Sequence, residues 1–225
     1  MSADFFKKRI SVALGLVCFV GFVVGACMYA RKRTVEIGVD KSFYFLVHTS
    51  SHVQASTHEV QLVGGAGYLL QGENNAVVAF SVYVNERDAT RAETRLKQTG
   101  TQANTVKMQS GNLKIKRRDR GKVKRLQGAF ESLYGNICVL EREIARLENG
   151  ATQQSSARIL DTIARNLEFL AKTYAEDYFE YAKACLDGAK ALREEKANII
   201  YVKDLRYVQC VLCVAYRDLV KNERL

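Results

Sequence analysis

The chain predicts an α+β fold: an N-terminal transmembrane helix, a four-stranded antiparallel sheet with two helices, and an all-α bundle or coiled-coil hairpin. Three observations carry this expectation. Ile10 to Ala30 is a run of 21 residues without a charge. Residues 42–116 alternate short apolar, β-branched segments with polar, Gly-punctuated ones. From Val123 onward the apolar spacing becomes helical.

At 1.5 Å per residue the first run reaches across about 30 Å of hydrocarbon. Lys7, Lys8 and Arg9 precede it and Arg31, Lys32 and Arg33 follow. The expected organisation is therefore a cytoplasmic tail at 1–9 and a single-pass anchor at 10–30, placing the protein in the cell membrane among lipids with most of the chain outside the cytoplasm. Charge on both flanks leaves the orientation undecided by charge alone. Val24-Gly25-Ala26-Cys27 also has the form of a lipobox, so lipidation at Cys27 after signal cleavage is the lesser alternative.

In the middle segment Phe43 to Val47 reads as a strand, and a polar stretch with Ala55, Val60 and Leu62 as a short helix. Gly64-Gly65-Ala66-Gly67 breaks it, Tyr68 to Gln71 forms the next strand, and Gly72 to Asn75 has hairpin-turn composition. Val77 to Val84 is the strongest strand. Asn85 stands at an N-cap and Asp88 in the first turn of a helix running to about Lys97. Gly100 ends that helix, and Asn104 to Lys116 holds a last strand or two. The order is β-α-β-β-α-β, a split β-α-β arrangement.

Phe43-Tyr44-Phe45-Leu46-Val47, Gly65-Ala66-Gly67-Tyr68, and Val78 to Tyr83 followed by Asn85-Glu86-Arg87-Asp88-Ala89 resemble the sporulation-related repeat (SPOR) domain. The resemblance covers 42–116, a third of the chain. Val47 and His48 stand where that family usually has a Gly before an aromatic. It implies a bacterial envelope protein, at division or sporulation septa, that binds glycan strands of peptidoglycan on the open face of its sheet. Strand alternation puts Val78, Phe80 and Val82 toward the helices and Ala79, Ser81 and Tyr83 on the open face. In the first strand Phe45 and Val47 fall in the core, with Tyr44, Leu46 and His48 open. Tyr44 or Tyr68 would then stack on a sugar ring while hydroxyls and Gln71 hydrogen-bond it.

Lys114 to Arg125 carries eight Lys or Arg against one Asp, and 117–122 is read as a basic linker. The formal net charge is +10, which suits an anionic neighbour. No aromatics interleave the basic stretch, so nucleic acid is not expected as a partner. In the helical part, 123–225, Val123, Leu126, Phe130, Leu133, Ile137, Leu140, Ile144 and Leu147 repeat at alternating threes and fours. Asn149-Gly150 stops that helix. Leu160, Leu167, Tyr174 and Tyr181 form a second stripe and Leu205, Val208, Leu212, Ala215 and Leu219 a third. A three-helix bundle is the first expectation, with a longer hairpin that self-associates or meets a protein partner as the second.

Enzyme chemistry is not expected. Cys210-Val-Leu-Cys213 has redox spacing but lies within a helix and lacks further metal ligands nearby. Cys138, Cys185, Cys210 and Cys213 read as buried thiols, with their redox state open. His48, His52 and His58 do not share one element face. Gly64 to Gly67 lacks the Lys-Ser/Thr of a phosphate loop. Neither a cofactor nor a metal is called for.

Overall fold

A computed structural model describes residues 23–25, 34–37, 39–48, 53–71, 76–116, 120–176, 178–197 and 199–222. Twelve elements follow in order: β1 (Thr34–Ile37), β2 (Ser42–His48), α1 (Val53–Leu62), β3 (Tyr68–Gln71), β4 (Ala76–Tyr83), α2 (Glu86–Gln98), β5 (Ala103–Gln109), β6 (Leu113–Lys116), α3 (Arg120–Glu148), α4 (Gln153–Tyr174), α5 (Phe179–Ala197) and α6 (Val202–Asn222). The main sheet runs β3-β4-β2-β5 with every neighbour antiparallel, and β1 pairs with β6 as a separate ribbon.

The single transmembrane helix expected at 10–30 is corrected, and with it the single-pass membrane location. No helix among the described residues is long and apolar enough to cross a membrane. Of that span only Val23–Gly25 is described, as one helical piece. The remainder, with the tail at 1–9 and Cys27, lies outside the described residues. So do the turn at 72–75, His52 and residues 117–119 of the basic linker.

Local chemistry accounts for the α2 boundaries. The Asn85 side chain accepts the Arg87 N–H at 2.9 Å, Glu86 and Asp88 stand in the first turn, and Arg95 and Lys97 in the last. Carboxylates at the N-terminus and cations at the C-terminus both complement the helix dipole. At the other end of the first βα unit, Gly65 admits no side chain. A Cβ there would lie 2.5 Å from Val60 Cγ1 and 2.9 Å from both Phe80 Cδ1 and the Val60 carbonyl oxygen. Because one of those neighbours is backbone, Gly65→Ala is expected to destabilise the fold by about 1–3 kcal/mol, read as a lower urea midpoint.

Two cores flank the sheet. On the α1/α2 side Leu46, Val60, Val78, Phe80 and Ala103 cluster, with Ala92 and Leu96 of α2 against them. On the other side Phe43, Phe45, Val47, Ala79 and Val82 join Leu126, Phe130, Leu133, Leu212 and Tyr216 of the helical part in one continuous core. A β-bulge sorts these residues. Leu46 pairs with Ser81 but Val47 pairs with Ala79, so β4 holds one residue more than β2 at Phe80. An extra residue reverses which face the following side chains take. Hence Val78 and Phe80 share one core while Val82 belongs to the other, which corrects the single-face assignment of these three residues.

Among the described residues the helical part has four helices where three were expected. A break between Tyr174 and Phe179 divides the second stripe, so Leu160, Leu167 and Tyr174 sit on α4 and Tyr181 on α5, all of them buried. No Gly or Pro marks this break. Gly188 lies inside α5, where a Cβ would stand 3.3 Å from Leu212 and 3.6 Å from Leu167. It is the point of close approach between α5, α4 and α6. The α3 stripe from Leu126 to Ile144 is buried throughout, but it packs against the sheet and the other helices instead of a coiled-coil seam.

Candidate ligand cleft between the sheet and the bundle

The expected open face of the sheet is covered. The bundle lies over it and buries Ala79, while Leu46 and its cross-strand partner Ser81 are buried on the α1/α2 side. No sugar polymer can lie along that face as folded. Tyr44 is half-buried with the Lys107 amine 6.0 Å from its ring centre. Gln71 is exposed at the end of the edge strand β3.

His48 is held structurally. Its Nδ1 lies 2.8 Å from the Gln102 carbonyl oxygen, its Nε2 is 3.4 Å from Glu59, and its ring meets Phe80 edge-on at 5.8 Å. Tyr68 stands edge-on to Tyr207 at 5.4 Å, and burial pushes its hydroxyl up to about 12. It lines an apolar groove of about 430 Å³ with Phe179, Val211, Val214 and Leu219. The eight residues read from the sequence as a sugar surface are therefore spread over several places.

Two of them meet elsewhere. Ser81 and Tyr83, at the C-terminal end of β4, line a cleft of about 400 Å³ closed by α3 and α6. Asn85 and Asp88 enter from the start of α2, Glu141, Arg142 and Glu148 from α3, and Arg206 and Gln209 from α6. The supply from α3 follows helical spacing: Cys138, Glu141, Ala145 and Glu148 form one stripe beside the buried Ile137, Leu140 and Ile144.

Electrostatics in the cleft are set by burial. Both carboxylate oxygens of Glu141 accept the Val84 N–H, at 3.3 and 3.4 Å. That bond favours the ionised form, but desolvation outweighs it and the charge on Asp88 adds to the effect, pushing the carboxyl up to about 7. Arg206 donates to the Gly64 carbonyl at 2.7 Å and pairs with Glu148. It thereby ties α6 both to α3 and to the turn that follows α1. Tyr83 is pushed up by burial, against the hydrogen bond it makes with Ser81. Gln209 is only 2% exposed, yet its Nε2 has no hydrogen-bond partner among the described residues. Buried amide donors without an acceptor cost about 1–3 kcal/mol, so this one is a cost that the fold carries beside the cleft.

No family model, no curated protein and no solved structure matches this chain. The likeness to the sporulation-related repeat rests on its quoted residues alone, and the site has to be read from its own chemistry.

Burial works against thiolate formation at three of the described thiols. Cys185, Cys210 and Cys213 are free and buried, and burial raises all three, Cys185 to about 12. A thiol raised this far stays protonated at neutral pH. Among the described residues no three His, Cys, Asp or Glu side chains are grouped to hold a metal. Sequence reasoning missed Asn85, Asp88, Glu141, Arg142, Arg206 and Gln209 as a set. One signal was present: Gln209 is a lone amide in the otherwise apolar run Val208 to Val214.

Proposed function

We propose that this protein is a non-enzymatic glycan-binding protein that takes sugar residues of a glycan strand in the cleft between β4, α3 and α6. One observation carries the reading: an aromatic side chain, Tyr83, borders the cleft beside several planar hydrogen-bonding groups, among them Asn85, Glu141, Arg206 and Gln209. Sugar rings present apolar faces and a rim of hydroxyls, and that pairing of aromatic and planar polar groups suits both. Peptidoglycan is the polymer suggested by the resemblance in 42–116.

Retention of the whole chain on purified peptidoglycan, and on glycan strands stripped of stem peptides, tests the proposal. Binding is expected to survive 0.5 M salt and to fall at least tenfold with Tyr83→Leu. At +10 the chain also adheres to polyanions by charge. Retention that vanishes with salt and ignores Tyr83→Leu would replace the glycan reading with simple attraction to an anionic partner.

A second reading, a scaffold that self-associates through its helices, is favoured by Phe169 and Phe179, which stand 68% and 67% exposed on α4 and α5. Large exposed aromatic side chains mark association surfaces when they group together. Sedimentation over a hundredfold range of concentration reads this directly. A constant mass would remove the scaffold reading.

A further inference from the structure

We propose that the groove between β3, α5 and α6 binds a small organic cation from solution, a trimethylammonium compound of the choline type, independently of the cleft.

At about 430 Å³ the groove has the size of a small-ligand site. Tyr68 of the edge strand and Phe179 at the start of α5 supply aromatic rings, and Val214 and Leu219 of α6 supply aliphatic walls. Phe179 is 67% exposed and Tyr68 half-buried. An accessible ring offers its negative π face to a cation.

Charge decides between occupants. The chain has 34 Lys and Arg against 24 Asp and Glu. Among the described residues, however, the charged side chains lining the groove are both carboxylates, Glu180 and Asp218. Glu180 is exposed. Asp218 gives Oδ1 to the Arg217 Nε at 2.7 Å and is still 44% exposed. An anionic ligand would be repelled here, and a neutral apolar one would gain nothing from the two carboxylates. A primary ammonium brings N–H donors that need acceptors once water is lost, and these walls are mostly apolar. A trimethylammonium group has no such donor. Its methyl groups spread the charge over an apolar surface, which rings and aliphatic walls receive while the carboxylates balance the charge.

The test is calorimetric titration of the whole chain with choline and with neohexyl alcohol, which keeps the shape but has a quaternary carbon in place of the nitrogen. Choline is expected to bind at least tenfold tighter. Glu180→Gln and Asp218→Asn should each weaken choline at least threefold and leave the alcohol unchanged, and Phe179→Leu should weaken choline more than the alcohol. Thermal unfolding checks that each variant folds. Equal affinity for the two compounds would overturn the proposal by making the groove a plain apolar pocket. Choline affinity unmoved by all three substitutions would overturn it by placing the cation elsewhere. Failure of free choline to bind would overturn it too, even where phosphatidylcholine vesicles retain the chain, since the ligand proposed is a soluble one. The groove shares no lining residue with the cleft, so choline should leave retention on peptidoglycan unchanged, and the loss of either reading leaves the other standing.

Discussion

Truncating Tyr216 to Ala is expected to destabilise the protein by about 3–5 kcal/mol and to loosen the sheet and the bundle together. Tyr216 is 1% exposed and lies edge-on to Phe43 of β2 at 5.5 Å and to Phe130 of α3 at 5.0 Å. Its hydroxyl donates to the Val39 carbonyl at 2.8 Å, so one side chain on α6 meets α3, β2 and the segment leading into β2. Removing the ring leaves a cavity shared by both halves of the core. Tyr216→Phe removes only the hydroxyl and leaves the Val39 carbonyl with its second donor, the Ser110 hydroxyl at 3.2 Å, for a loss of about 0.5–1.5 kcal/mol. Urea unfolding followed by far-UV circular dichroism and by tyrosine fluorescence measures both variants. The two probes should coincide in one transition, because the sheet and helices share a single core. Separate transitions for the sheet and the helices would contradict that.

The second large effect is on pH dependence. Glu141 titrates near 7 in the folded chain against the ordinary 4.5 when exposed to water. Between these values the folded state binds more protons than the unfolded one, so stability falls as pH rises. The contribution is complete below about pH 4.5 and is lost as pH passes through about 7. At about 1.4 kcal/mol per pKa unit its upper limit is about 3 kcal/mol, and contact with water in the open cleft reduces it to about 1–2 kcal/mol. Glu93 acts in the opposite sense, its carboxylate held low first by Lys97 and then by Thr105. The quantity to measure is therefore the difference between the native chain and Glu141→Gln, in which every other group cancels. That difference should be near zero at pH 4.5 and favour the Gln variant at pH 8. A flat difference across this range would show that Glu141 is ionised like an exposed carboxylate.

Gln209→Leu should match or exceed the native chain in stability, read from its urea midpoint, since it removes a buried donor without an acceptor among the described residues.

Much of the local architecture was legible before the tertiary structure. Gly64 to Gly67, Asn85 with Asp88, and Gly100 mark element ends by backbone and capping chemistry that needs no distant partner. The threes and fours from Leu126 to Ile144 mark the buried face of α3 just as directly. The candidate cleft was not legible, because its walls come from β4, α2, α3 and α6, up to about 130 residues apart in the chain. Only one hint of the covered sheet was present. Phe43 to Val47 and Val77 to Val82 are nearly continuous apolar runs, and strands of that kind are buried on both faces. Assigning faces by strict alternation overlooked it, and the bulge at Phe80 compounded the error.

The amino-acid sequence alone determined the ends of the capped and glycine-bounded elements and which side chains seek burial, since capping, turn and periodicity effects act within a few residues. The tertiary structure decided what each face meets. It laid the bundle over the sheet, split the second helical stripe at a point with no breaking residue, and gathered Tyr83, Glu141 and Gln209 around one cleft. Those outcomes depend on packing between segments far apart in the chain, and burial is a property of the assembled core that no local pattern encodes.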